Sequence, residues 1–450
     1  MCSLRWPACA LIVLGAVCLQ AQSAFAQVGN RPERPDRGLY KNRPTGSGDL
    51  LDVNGSAGIG WDNNLLLTVP GISDPRVPAE AGLIGLFTGG ASFTRTRERS
   101  NFNASTASAA RYYPGQGIDR ISGYNASVGG AMSPSDRTGF WANQLVSYEP
   151  FTFSSIFPQT YAPVFEPGGV PPAEAVAPSL DQAALAQQYL SYQTNAGLYR
   201  RMSQRTTFSA GYHFLQGDSA YVHDKFTNQG AYAGLRYSAT RNLGFRAGYG
   251  YQQGSYLAGT SPIRTHNIDA GVDYNRALSF SRRTTFSFST GTSAMTDGFT
   301  THYQVVGGAR LNHEMGRTWN ASLSYDRSFQ FVQSLLQPVF YDSANAGVGG
   351  LINRRLRADI GARASIGSVG LGDHTADNGF DTYEGFASLS FALSRFAELG
   401  ANYTIYRYRF GSSVVLPIGV AHDVERQSVG VHVSVWAPLY NRVRSGNATR

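Results

Sequence analysis

A two-residue rhythm, sustained from Leu51 to Trp436, constrains this chain more than any other feature of its sequence. Segments of about ten to fourteen residues set apolar or aromatic side chains against small or polar ones at alternate positions, as strands with two different faces do. In the clearest, Leu356, Ala358, Ile360, Ala362, Ala364 and Ile366 share one face, and Arg357, Asp359, Gly361, Arg363 and Ser365 the other. In the last, Val429, Val431, Val433 and Val435 oppose Ser428, Gly430, His432 and Ser434. A polar face in bulk water ordinarily carries lysine and glutamate. This chain has two lysines, Lys41 and Lys225, and its polar faces are Gly, Ser, Asn and Thr with scattered Arg and Asp. Such a face suits the lumen of a membrane barrel whose apolar face meets lipid.

Composition removes the main rivals. Charged residues make up 15% of the chain, against about 25% in a typical soluble domain. Mean hydropathy is nevertheless −0.23, and beyond residue 26 no run of 18 apolar residues occurs. A helical membrane protein needs about 20 per span and is excluded.

Residues 1–26 read as a signal peptide: Arg5, an apolar stretch Ala8–Leu19, and the cleavage pattern Ala24-Phe25-Ala26. Cys2, Cys9 and Cys18 are the chain's three cysteines and all lie within it. After cleavage no disulfide framework, thiolate metal site or cysteine nucleophile remains. Residues 27–50, rich in Pro and Arg, read as a flexible periplasmic leader, 51–436 as the barrel, and 437–450 as a periplasmic tail.

The fold expected is all-β: a single antiparallel up-and-down transmembrane barrel. It has eighteen strands, or sixteen if one weak segment is misread; 83–94 and 138–148 alternate least cleanly. Short connections alternate with long ones, which include 149–187 and 331–340. Short periplasmic turns and long extracellular loops are the outer-membrane signature. Aromatics near strand ends (Tyr112, Tyr113, Tyr148, Tyr212, Phe214, Trp319, Tyr403, Tyr406, Tyr408, Phe410, Trp436) suggest an interfacial girdle. In 149–187, seven prolines precede Leu180–Tyr189, which reads as a short helix. The loop suits a constriction or an external flap.

Ser56-Ala-Gly-Ile-Gly-Trp61-Asp62-Asn63-Asn64 resembles the first-strand motif of a porin-like outer-membrane β-barrel family. Arg205-Thr-Thr-Phe-Ser209 and Arg282-Arg-Thr-Thr-Phe-Ser287 are similar to its turn-to-strand element. Members of that family are often associated with exopolysaccharide export, and the resemblance implies this link as an expectation. Arg426–Trp436 resembles the carboxy-terminal insertion signal read by the outer-membrane assembly machinery, although Ala437–Arg450 follow it.

Face assignment puts Arg236, Arg246, Arg310, Arg357, Arg363 and Arg426 in the lumen, against Asp269, Asp273, Asp326, Asp359 and Glu384. Near-balance argues against a strong single-sign filter. Inward Tyr199, Tyr232, Phe386 and Tyr406 are candidates for stacking on sugars. Arginine-rich turns (Arg95, Arg97 and Arg99; Arg200, Arg201 and Arg205; Arg282 and Arg283; Arg354 and Arg355) suit lipid phosphates or plain solvation.

No GxSxG, HExxH or P-loop occurs. His213, His266, His302 and His422 fall near the outer rim, as a rim hydrolase would require, but chance also places them there. No enzyme activity, catalytic residue, metal or cofactor is expected. The function expected is passive or gated diffusion of small polar solutes across the outer membrane of a Gram-negative-type bacterium. Rivals are a barrel for exopolysaccharide passage and a surface scaffold or adhesin with a blocked lumen. Expected partners are outer-membrane lipids and lipopolysaccharide, the assembly machinery, and small polar solutes or polysaccharide. Nucleic acid is not among them, because the basic residues are dispersed. A trimer fits a porin-like barrel, with no interface assigned.

Overall fold

The computed structural model describes residues 38–41, 47–63, 81–114, 120–152, 183–219, 225–256, 262–278, 281–296, 301–332, 335, 337–370, 377–416 and 422–442. The expected signal segment, most of the leader, residues 153–182 of the long loop and 443–450 of the tail lie outside them.

The strands are β1 (Gly48–Asp62), β2 (Gly82–Thr96), β3 (Ser100–Tyr112), β4 (Arg120–Ser135), β5 (Thr138–Thr152) and β6 (Ala183–Arg201). They continue as β7 (Thr206–Ser219), β8 (Lys225–Ser238), β9 (Leu243–Ser255), β10 (Ile263–Leu278), β11 (Ser281–Thr296) and β12 (Thr301–Met315). The last are β13 (Trp319–Val332), β14 (Gln337–Leu351), β15 (Leu356–Val369), β16 (Gly379–Ala392), β17 (Ala397–Phe410) and β18 (Asp423–Asn441). Each pairs antiparallel with its neighbours in sequence, and β1 closes on β18 to make an 18-stranded barrel. Both segments read as less regular, 83–94 and 138–148, lie in strands. Closure matters because a bilayer offers no water to satisfy an open sheet edge.

Directly opposed residues share a face, so the register carries the inner surface around the ring. Hydroxyl and carboxylate rungs tie it together: Ser92 donates to Asp52 at 2.9 Å, Ser105 meets Ser127 at 2.8 Å, and Ser365 donates to Ser343 at 3.0 Å. Outward, Ile59, Ile360, Ile366 and Val429, Val431, Val433 and Val435 are exposed, as lipid-facing residues should be.

Four expectations need correction. Tyr112, Tyr148, Tyr212 and Tyr403 are exposed outside, but Tyr113, Tyr406, Tyr408, Phe410 and Trp436 are buried. On β17 and β18 the even-numbered residues share Arg426's inward face, so aromatic clustering along the chain mixed two surfaces. The helix read at Leu180–Tyr189 is, from Ala183, the start of β6, where Gln188 pairs with Pro150 and Tyr189 with Ser219. The long connection at 331–340 is the tip of a hairpin, because Phe331 pairs with Pro338 and Val332 with Gln337. The paired wall runs beyond 51–436 to Gly48 and Asn441, since Leu50 and Leu51 of β1 hold Asn441 and Tyr440 of β18 in register.

The β1–β18 seam depends on a close approach. A Cβ on Gly58 would overlap the Val431 carbonyl and come within 2.6 Å of the His432 Cβ. Gly58→Ala is therefore expected to destabilise the barrel by about 1–3 kcal/mol, read as a lowered urea midpoint. An unchanged midpoint would show that the seam relaxes freely.

At the short-turn end, part of the leader is tied down. Leu39 donates to the Arg354 carbonyl at 2.9 Å and Lys41 to the Arg395 carbonyl at 3.2 Å. Between them Tyr40 is pushed up to about 12, first by burial and then by the charge of Glu398.

Candidate functional site

The inner wall is the candidate site, and its charges fall into groups set by strand register. Toward the long-loop end, Asp62 at the end of β1 is fully buried between Arg426 of β18 and Arg111 of β3, themselves buried. Arg426 Nε donates to both Asp62 oxygens, at 2.9 and 2.8 Å, and its Nη2 adds a further bond. Arg111 Nη1 stands 3.6 Å from Asp62 Oδ2. Nearer the short-turn end, Arg236 and Arg246 both turn to Asp273, at 3.5 and 2.6 Å. Arg246 also donates to the Thr290 carbonyl at 3.1 Å. A third group runs across β12 to β16: Asp326 interacts with Arg310 and Arg363, and Arg363 with its register partner Glu384. Arg357 donates to Asp359 at 2.8 Å along β15. The side chain of Asp269 lies outside the described residues.

The four aromatic candidates share the inner face without forming one track. Tyr199 lies over Gly139 and reaches Ser133 at 3.5 Å, while Tyr232 lies over Gly211. Phe386 is half-buried on β16. Tyr406 is buried and stacks on Tyr408, with centroids 6.3 Å apart and planes 10° apart.

Sequence reasoning missed what covers Tyr406. The apolar cluster that buries it contains Tyr341, Phe380, Tyr408 and Phe410 from the wall, with Val332 and Leu335 from the β13–β14 tip and Val414 from the β17–β18 loop. Tyr189 of β6 packs against the same cluster. In an eighteen-strand ring β6 lies opposite β15, so the cluster bridges the lumen near the long-loop mouth. A second cluster joins Phe329 and Phe331 of β13 to Phe226, Tyr256, Leu215 and Ile263 on β7 to β10. The hairpin tip thus leans inward and touches both sides. The mostly apolar run Phe329–Val332, broken by Gln330, was the available signal.

The histidines do not assemble. His213 lies over Gly230 on the inner face, His266 bonds Tyr249 at 2.7 Å on the outer face, and His422 bonds the Val414 carbonyl at 3.0 Å. Among the described residues no group of three or more His, Cys, Asp or Glu could hold a metal. Among the turn arginines, Arg97 forks onto Asp49 at 2.8 and 3.1 Å.

No protein-family model matches the chain, and no curated protein does. Among solved structures it is similar to Pseudomonas aeruginosa OccK2 (OpdF), with 10% identity and a TM-score of 0.46 over 90% of this chain and all of that one. It is similar to Acinetobacter baumannii OccAB1 at 10% identity and a TM-score of 0.42, over 89% of this chain and all of that one. The FrpB iron transporter of Neisseria meningitidis matches at 8% identity and a TM-score of 0.44, over 88% of this chain and 83% of that one.

Proposed function

We propose that this chain is an outer-membrane channel for the diffusion of small polar solutes, gated at its long-loop mouth. The carrying observation is the closed 18-stranded ring with a polar, largely charge-paired inner face and an apolar outer one. About eight strands leave an interior that side chains fill, whereas 16–18 leave an aqueous lumen. The inward hairpin tip narrows the mouth and supplies the gate.

Conductance of the refolded chain lacking residues 1–26, measured in planar bilayers, tests this reading. Discrete ion-conducting openings support it, and silence from protein folded by circular dichroism overturns it. Selectivity has its own expected result. Asp273 draws two guanidiniums, Arg236 and Arg246, so Asp273→Asn releases positive charge into the lumen. The anion-to-cation permeability ratio should rise roughly twofold, as read from the reversal potential. An unchanged ratio would place these charges away from the ion path.

A further inference from the structure

The wall is not paired along its full height between β12 and β13. Their ladder runs from Met315↔Trp319 to Gly307↔Arg327 and stops. β12 nevertheless continues to Thr301 against β11, and β13 continues to Val332 against β14. About five residues on each side, roughly 17 Å of strand, therefore face one another without ladder bonds. Gly307 sits at the fork. A Cβ there would overlap the Ser289 carbonyl and approach Thr290 Cα to 3.0 Å, so β12 packs tightly onto β11 at the last residue that pairs with β13.

We propose that this fork is a side portal through which amphiphiles with an apolar chain pass between the lumen and the surrounding lipid leaflet. Three observations point to that chemistry. Neither edge carries a charge: β12 offers Thr301-His-Tyr-Gln-Val-Val306, and β13 offers Ser328-Phe-Gln-Phe-Val332. The β12 edge presents Tyr303 and Val305 outward, 72% and 61% exposed. On the β13 edge, Phe331 turns inward and stands 6.2 Å from Tyr256, which stands 5.0 Å from Phe226. Apolar side chains thus stand on both edges of the fork, outward on β12 and inward on β13.

The energetics favour the same occupant. A gap flanked by backbone is costly in hydrocarbon, and a wall serving only as a wall would close it. An aliphatic chain suits the apolar lining, and Arg327 at the fork, 3.3 Å from Asp342, is placed for a polar head. The straight path outward is bridged by the Tyr406 cluster, so the side route bypasses the narrowed mouth.

If the ladder continued in register, Val305 would oppose Phe329. The chain without residues 1–26 is free of cysteine, so a Val305→Cys/Phe329→Cys pair can be oxidised selectively across the fork. In proteoliposomes, entry of a fluorescent dodecanoate into the lumen should fall at least tenfold on oxidation and recover with reductant. Discrete potassium chloride openings should persist before and after oxidation, which separates failure of the portal from failure of the channel. Probe entry at the unmodified rate through the oxidised pair would overturn the portal.

A second variant does not need the crosslink. A single Phe331→Cys thiol should react with bilayer-dissolved N-dodecylmaleimide at least tenfold faster than a Val332→Cys thiol inside the Tyr406 cluster. Equal protection of both would also overturn it.

Discussion

Asp62→Ala is expected to unfasten the barrel where its two ends meet. The mutation leaves Arg426 and Arg111 buried without the carboxylate that bridges them, and breaking a buried ion pair by removing one partner costs about 3–5 kcal/mol. The measurement is the urea midpoint of the heat-modifiable shift in electrophoretic mobility, where folded barrel and unfolded chain migrate apart. A large fall is expected for Asp62→Ala and a smaller one for Asp62→Asn, which keeps an acceptor. Replacing Asp62, Arg111 and Arg426 together with apolar residues of similar size should recover much of the loss, because the burial cost of the charges disappears with their attraction. A wild-type midpoint in Asp62→Ala would mean that the strand ladder alone holds the ends together.

The second large effect is on conductance. Replacing Phe331–Pro338 with Asn-Gly keeps Gln330 opposite Val339 and supplies the residues a two-residue hairpin turn prefers. It removes Val332 and Leu335 from the cluster that bridges the lumen. Single-channel conductance should rise severalfold, with more time spent open. Leu335→Asp, which places a charge where the side chain is buried, should act in the same direction but less strongly. Unchanged conductance in a trimmed barrel that folds normally would remove the hairpin tip from the ion path.

The fold was legible because its cause is local. Each strand's alternation depends on the two media it separates, so Leu356–Ile366 or Ser428–Val435 declares both faces without reference to a partner. By register, Arg236, Arg246, Arg310, Arg357, Arg363, Asp273, Asp359 and Glu384 lie on one continuous face of the ring. What depended on distant partners was not legible. Asp62 reads as one member of a short motif, and nothing local announces that its counter-charge is Arg426. The helix read over Leu180–Tyr189 fails because helical propensity is a weak prior that strand pairing overrides. Tyr406 and Tyr408 stand beside outward Tyr403 in sequence, yet tertiary packing decides that they are sealed beneath Leu335 and Val414. The fork at Gly307 is similarly silent, since both of its edges alternate acceptably as strands.

The seam has a consequence in time as well as in space. Asp62 and Arg426 are separated by 364 residues, whereas most ladders in this ring join neighbouring segments of the chain. Hairpins can form as synthesis and delivery proceed, but the last carboxylate–guanidinium bond must wait for the final strand. Loop closure over so long a span is slow relative to local pairing. Until it happens, the first and last strands are open edges, able to pair with another chain or with whatever escorts the protein into the membrane. A substitution at Asp62 therefore lengthens the interval in which a nearly finished ring is vulnerable to misjoining, in addition to loosening the ring once it is shut.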